Sequence, residues 1–261
     1  MELRTRALQV LQIPDPYEKA AAARALFDGR PTLALDPALM LQPGTELPGR
    51  PARPQLMSVL QVPSRSPFTT EGRAALLHAI AHIEFNAINL ALDAVWRFPG
   101  MPEAFYTDWL QVAAEEAFHF SLLDEHLRTL GKQYGDYDAH DGLWSMARRT
   151  EGDVLARMAL VPRTLEARGL DATPPLQAKL ARAGDHRAVE ILGIILRDEV
   201  GHVLIGNRWY RHLCKARGLD PVALYPTLVE RFEAPRLRPP FNVQARTAAG
   251  FSPEEIAYLS S

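Results

Sequence analysis

Glu116-Ala-Phe-His119 recurs later in the chain as Glu199-Val-Gly-His202. In each, a carboxylate and an imidazole stand three residues apart, about 300° around a helix, so both face the same side. Each pair interrupts an apolar helical stripe. The neighbours one turn away are Val112, Ala113, Phe120 and Leu123 in the first, and Ile195, Leu196, Val203 and Gly206 in the second. An unpartnered charge on such a stripe is costly. Two carboxylate–imidazole pairs of this kind predict a metal site built from helices.

Working outward from these pairs, the chain reads as four long helices. Thr69-Thr70-Glu71 is a capping signal for the first, which runs to about Phe98. Pro99-Gly100-Met101-Pro102 makes a turn, and the second covers about 102–130, stopped by Gly131. A loop follows to His140. Asp141 is the expected N-cap of a third helix that starts near Gly142, runs to about Arg168, breaks at Gly169–Pro175 and resumes over 175–183. Gly184-Asp185 turns the chain into the fourth helix, about 186–217.

Short helices are expected at 2–12 and 17–28. Prolines then exclude any long helix over 31–67, where Leu33, Leu35, Leu39, Met40, Leu56, Val59 and Leu60 suit an arm packed over a core. The tail from Pro221 is expected to be mixed, with Pro235, Pro239 and Pro240 favouring an extended path. Ser252 before Pro253 opens a last helix over 253–259. No run alternates with strand period. The expected class is all-α: a four-helix bundle with short N-terminal helices and extended proline-rich N- and C-terminal arms. One domain is expected over 1–261, with the helices and arm at 1–68, the bundle at 69–217 and the tail at 218–261.

Register adds two ligands. Glu84 and Glu116 are equidistant from Gly100, while Glu166 and Glu199 are centred on 182–183, beside Gly184. Each hairpin thus sets a lone carboxylate level with a Glu-x-x-His pair. The candidate ligands are Glu84, Glu116, His119, Glu166, Glu199 and His202. Four carboxylates balance two divalent ions, neutral imidazoles add nitrogen donors, and the oxygen–nitrogen set suits iron or manganese. Glu166 is the weaker case, because Glu-Ala-Arg-Gly also reads as a solvated helix end. Its rival Glu151 lies too far from the Gly184 turn to be level with Glu199. His78 and His82 are spaced i, i+4, but Glu84 lies about 200° around the helix from His82, so they read as satisfied core or surface histidines. Asp138, His140 and Asp141 are assigned to the loop, and Arg236, Arg238 and Arg246 to pinning the tail.

Composition narrows the function classes. The single cysteine, Cys214, excludes an intramolecular disulfide and any multi-cysteine zinc or iron–sulfur site. A formal net charge of -2 gives no electrostatic reason to expect nucleic acid or an anionic membrane. No signal-peptide core, uninterrupted 18-residue apolar run, or flavin or nicotinamide fingerprint is present. The expectation is a cytoplasmic protein.

The set Glu84, Glu116-x-x-His119, Glu166 and Glu199-x-x-His202 resembles the ferritin-like di-iron carboxylate proteins. More narrowly, HAIAHIEFNAINLALDA, YGDYDAHDGLW, ARMALVPRTLEARGLD, LRDEVGHVLIGNRWYRHLC and PPFNVQAR resemble the bacterial DUF455 family of ferritin-like proteins. The resemblance spans nearly the whole chain. It implies a pair of iron ions, with manganese–iron as the other option, and a non-haem oxidoreductase of the oxygenase or hydroxylase type. Such an enzyme acts on a small-molecule substrate and draws electrons from an external donor. Iron storage or ferroxidation, and a non-catalytic helical module, are the alternatives. It also implies supporting carboxylates: Asp198 to orient His119 and Glu115 to orient His202.

Overall fold

The computed structural model describes residues 2–58, 61–63 and 65–260. Val59 and Leu60, assigned above to the arm, lie outside the described residues. Among the described residues the protein is helical, with isolated bridges at Glu2–Ala34 and Leu56–Ala139 in place of strands. The chain packs as two compact units, Met1–Gly142 and Leu143–Ser261.

The first unit is organised on a hairpin of α3 (Thr70–Arg97) and α4 (Glu103–Thr129). Thr69 Oγ1 caps α3 by accepting from Gly72 N at 3.0 Å. The turn between the helices needs a left-handed residue, and Gly100 supplies it at φ +75°. Tyr106 locks that turn, its hydroxyl donating to Phe98 O at 2.9 Å and accepting from Met101 N at 3.1 Å. The Pro-Gly-Met-Pro sequence therefore sets the level at which residues of α3 and α4 face each other.

Two short helices cover this hairpin. α1 (Leu3–Leu11) packs on α3, and α2 (Pro16–Gly29) packs on α4. Asp15 caps α2, with Pro16 at its first position. Residues 33–58 carry no helix and follow the surface as an arm, with Leu33, Leu35 and Leu39 half-buried and Met40 exposed. The buried Arg4 holds the arm down. Its guanidinium donates to Leu39 O at 2.7 Å and Pro37 O at 3.1 Å, and to Trp96 O at 2.7 Å at the end of α3. Farther along, Met57 N and Ala139 N bond Ala139 O and Gln55 O, tying the arm to the loop after α4.

By length and composition α3 could cross a membrane, a test that the search for an uninterrupted apolar run did not capture. Yet 78% of its most apolar window is buried inside the protein. It is the core helix of its unit, apolar on nearly every side because α1, α2 and α4 all pack on it.

The second unit pairs α8 (His186–Ala216) with a long, interrupted helical rod. After α5 (Gly142–Arg149), the rod is α6 (Val154–Leu160), a π-helical segment Val161–Glu166 and α7 (Arg168–Arg182). The expected third helix, 142–168 with a break at 169–175, is corrected in both places. The break falls at Thr150–Gly152, where Asp153 starts α6 by accepting from Leu155 N and Ala156 N. Pro174 and Pro175 are accommodated inside α7. Pro174 leaves the Leu170 carbonyl without its usual donor, and Asn242 Nδ2 reaches back from the tail to bond it at 3.2 Å.

The tail is mixed, and more helical than expected on either side of residues 235–240. It forms α9 (Pro221–Arg231), α10 (Val243–Ala248) and α11 (Pro253–Ser260), leaving an irregular connection from Phe232 to Asn242. The physical reason for α9 is Asp220, which accepts from Val222 N and Ala223 N ahead of Pro221 at the first helical position. Ser252 and Glu255 form a reciprocal capping box at the start of α11. Of the three arginines assigned to the tail, Arg246 is buried and pairs with Asp171 at 2.6 Å, while Arg236 and Arg238 are exposed. Ala167, Leu170, Val203, Ala249 and Phe251 form a small core where the tail meets the rod and α8.

Candidate metal centre

In the first unit the hairpin brings Glu84 of α3 level with Glu116 and His119 of α4. All three are buried, and one ligand atom from each lies within 4.8 Å of the others. His119 Nδ1 stands 3.1 Å from Glu84 Oε2 and 3.4 Å from Glu116 Oε2. The surroundings are apolar: Ile80, Ala81, Ala87 and Ile88 flank Glu84, while Val112, Ala113, Phe120 and Leu123 flank the α4 pair. Burial, and then the nearby Glu116 carboxylate, push the Glu84 carboxyl well above the ordinary carboxylate range. Two carboxylates in such a place demand a proton or a cation, and the imidazole beside them is a third donor of the kind metals take.

In the second unit, Glu199 and His202 are buried one turn apart on α8, with 4.0 Å between Oε2 and Nδ1. Ile195 and Val203 pack beside them. One turn beyond His202, Gly206 lets the rod come close. A Cβ there would stand 2.6 Å from Pro162 Cβ and 2.7 Å from Pro162 Cγ. Glu166, half-buried, ends the π-helical segment that begins beside Pro162. Glu151, its rival, sits in the exposed turn between α5 and α6.

The π segment was not legible from helical periodicity. Its signature is backbone bonding at i−5, with Ala167 N donating to Pro162 O at 3.1 Å; the Thr164 side chain adds a bond from Oγ1 to Ala159 O at 2.7 Å. The extra residue rotates everything after it, Glu166 included, relative to a regular helix. Pro162 inside the apolar run was the one signal available.

Sequence reasoning also missed what holds this segment. Arg163 is buried, pairs with Glu255 at 2.9 Å and donates to Asn207 Oδ1. Its guanidinium lies 5.1, 5.0 and 4.7 Å from the ring centroids of Tyr210, Tyr225 and Phe251. Glu255 also accepts from Arg211 and Ser252 N. The tail helix α11 is thereby clamped to the turn that carries Glu166. No local spacing links residues so far apart in sequence.

The two supporting carboxylates are both half-buried. Glu115 accepts from Gln111 Nε2 at 2.9 Å, and Asp198 pairs with Arg197 at 2.8 Å. His78 and His82 belong to neither carboxylate–imidazole group and are buried core histidines. His78 Nε2 accepts from Gly135 N at 2.9 Å, and His82 bonds Tyr134 and Asn86. Burial pushes them down to about 4 and about 3 respectively, so both are neutral. Asp141 pairs with Arg50, and His140 Nδ1 takes Gly142 N at the start of α5.

A family model described as "Protein of unknown function (DUF455)" matches residues 12–257. A protein of Haemophilus influenzae, described as uncharacterized, is 49% identical over 260 residues, covering 95% of this chain and 90% of its own length. No solved structure matches the chain.

Proposed function

The chain belongs to the DUF455 family, and we propose that it is a non-haem di-iron oxidoreductase, an oxygenase or hydroxylase acting on a small molecule. The observation that carries this reading is the buried Glu84–Glu116–His119 cluster, matched in kind by Glu199 and His202 on α8. Glu84, Glu116, His119, Glu166, Glu199 and His202 are the proposed ligands. Their donor set fits the metal: four carboxylates neutralise two divalent ions, and the buried acids of the first unit require a positive partner or a proton. The same reading takes α3, α4, the α6–α7 rod and α8 as the helices of a ferritin-like bundle in one domain, located in the cytoplasm.

When bound, the iron pair supplies the redox chemistry that couples dioxygen reduction to substrate oxidation. The chain's own residues do the rest. Glu116 and Glu199 each hold an imidazole partner one turn away, and the apolar residues around them exclude water. Glu115 and Asp198 are proposed to accept the free N–H of His202 and His119, fixing the tautomer of each. Electrons come from a separate protein donor, since no flavin or nicotinamide fingerprint is present.

Metal analysis of protein purified without chelators, with a visible spectrum after exposure to air, tests the proposal. About two irons per chain are expected, with absorption from an oxidised iron pair. Glu116→Ala should lose both. Hundreds of irons per particle would assign iron storage instead. Absence of bound metal, with unaltered stability in Glu116→Ala, would refute any metal role.

A further inference from the structure

A second polar site lies in the first unit, on another side of α3. It is a cavity of ≈ 60 Å³ between the arm and the helix, lined by Arg50, Pro54 and Leu56 of the arm, His82 and Phe85 of α3, and Tyr134 of the loop after α4. A water needs roughly 10–15 Å³ measured this way, so there is room for a molecule of about four or five heavy atoms.

The hydrogen bonds around His82 link Tyr134, Asn86 and the His140 carbonyl at the edge of this space. Asn86 Nδ2 donates to the His82 carbonyl at 2.9 Å, which sets the direction of the amide. Its other hydrogen meets His82 Nε2, also at 2.9 Å. The His140 carbonyl also lies 3.1 Å from Nε2, so the ring has two arrangements. With the proton on Nε2, the ring donates to His140 O and Nδ1 accepts from the Tyr134 hydroxyl, 2.9 Å away. With the proton on Nδ1, Nε2 accepts from Asn86 and Nδ1–H donates to Tyr134 Oη, which leaves the hydroxyl hydrogen for an acceptor in the cavity that Tyr134 lines. A bound acceptor selects the second arrangement.

The tyrosine stays a donor, because burial pushes its hydroxyl far above the ordinary range. Arg50 is the second donor. Asp141 occupies one of its terminal nitrogens, and the guanidinium has further N–H groups to offer. No acidic side chain among the described residues lines the cavity. Phe85, Pro54 and Leu56 form apolar walls.

We propose that this cavity binds a small monocarboxylate of about two or three carbons, its carboxylate held by Arg50 and the Tyr134 hydroxyl and its alkyl end by Phe85, Pro54 and Leu56. The arm is then one wall of a binding site, which explains why it is anchored at Arg4, Gln55 and Met57 rather than left loose. The inference is independent of the metal ligands, none of which lines the cavity.

The test is titration of the full-length protein with sodium propionate, followed by ligand-observed NMR, with propionamide and inorganic phosphate as comparisons. Saturable binding of propionate is expected, with at least tenfold weaker binding of both comparisons. Tyr134→Phe keeps the ring packing and removes only the hydroxyl, so propionate should bind about tenfold more weakly. Arg50→Gln should abolish binding. That variant also breaks the pair with Asp141, so the Tyr134 variant decides the matter if the arginine variant does not fold. Absence of saturable binding by the native protein, equal binding of propionamide or phosphate, or undiminished propionate binding in Tyr134→Phe would each overturn the proposal.

Discussion

Gly206→Ala is the perturbation that most directly links packing in the second unit to the candidate centre. The added Cβ would stand 2.6 and 2.7 Å from two carbons of the Pro162 ring. Carbon atoms settle at about 3.5–4.0 Å, so a gap of about 1 Å must open. Neither side yields easily. Gly206 lies inside α8, and the rigid proline ring is the second residue of the π-helical segment. The segment is also clamped from behind by Arg163, Glu255 and three aromatic rings. Overpacking of this kind costs about 1–3 kcal/mol. The displacement falls on the residues leading to Glu166. Urea unfolding of the metal-free protein should therefore show a loss of about 1–3 kcal/mol. Anaerobic titration with ferrous ion should show affinity weakened about tenfold to a hundredfold, as for other changes that misplace a ligand. Stability within 0.5 kcal/mol of the native protein, about the size of a neutral surface change, would refute the packing argument. A clear stability loss with unchanged iron affinity would remove Glu166 from the ligand set.

Lys19 gives a pH prediction. It is fully buried, donates to Gly49 O and Asn89 Oδ1 at 2.7 Å each, and has no carboxylate partner in its ion-pair or hydrogen-bond contacts; burial, with help from Arg50, pushes it down from 10.5 to about 7. Since the folded value lies below the unfolded one, the unfolded chain holds more protons between them and stability rises with pH from about 7 to about 10.5, at about 1.4 kcal/mol per unit. Lys19→Met should remove that slope, and a stability difference between native and variant protein that stays constant from about pH 7 to about pH 9 would contradict it. Asn242→Ala removes the donor to the Leu170 carbonyl and the cap of α10, and should cost about 2 kcal/mol in chemical denaturation. Asn242→Asp keeps the cap but cannot donate to Leu170 and sets a second charge near Asp171. It should be no more stable than the alanine variant, and full retention of stability would show that the carbonyl opposite Pro174 needs no partner.

Much of this protein is determined locally and was legible in the sequence. Thr69 and Ser252 start helices with side-chain caps, and Gly100 and Gly184 end them, because capping and left-handed turns depend on residues within a few positions. The level of Glu84 with Glu116 and His119 followed from counting away from one turn, since the rise per residue of a regular helix is constant. Asp220-Pro221 carries the same kind of local signal for α9. Tertiary structure decided the rest. Pro174 remains helical only because Asn242 arrives from far along the chain to take the freed carbonyl. The π segment exists where Pro162 meets Gly206 and Arg163 meets Glu255, so the phase of Glu166 cannot be read from a 3.6-residue period. The cavity at Arg50 and Tyr134 likewise joins the arm, a core helix and a loop. Hydrogen bonds and close packing between residues distant in sequence leave no periodic trace, and only the folded chain brings them together.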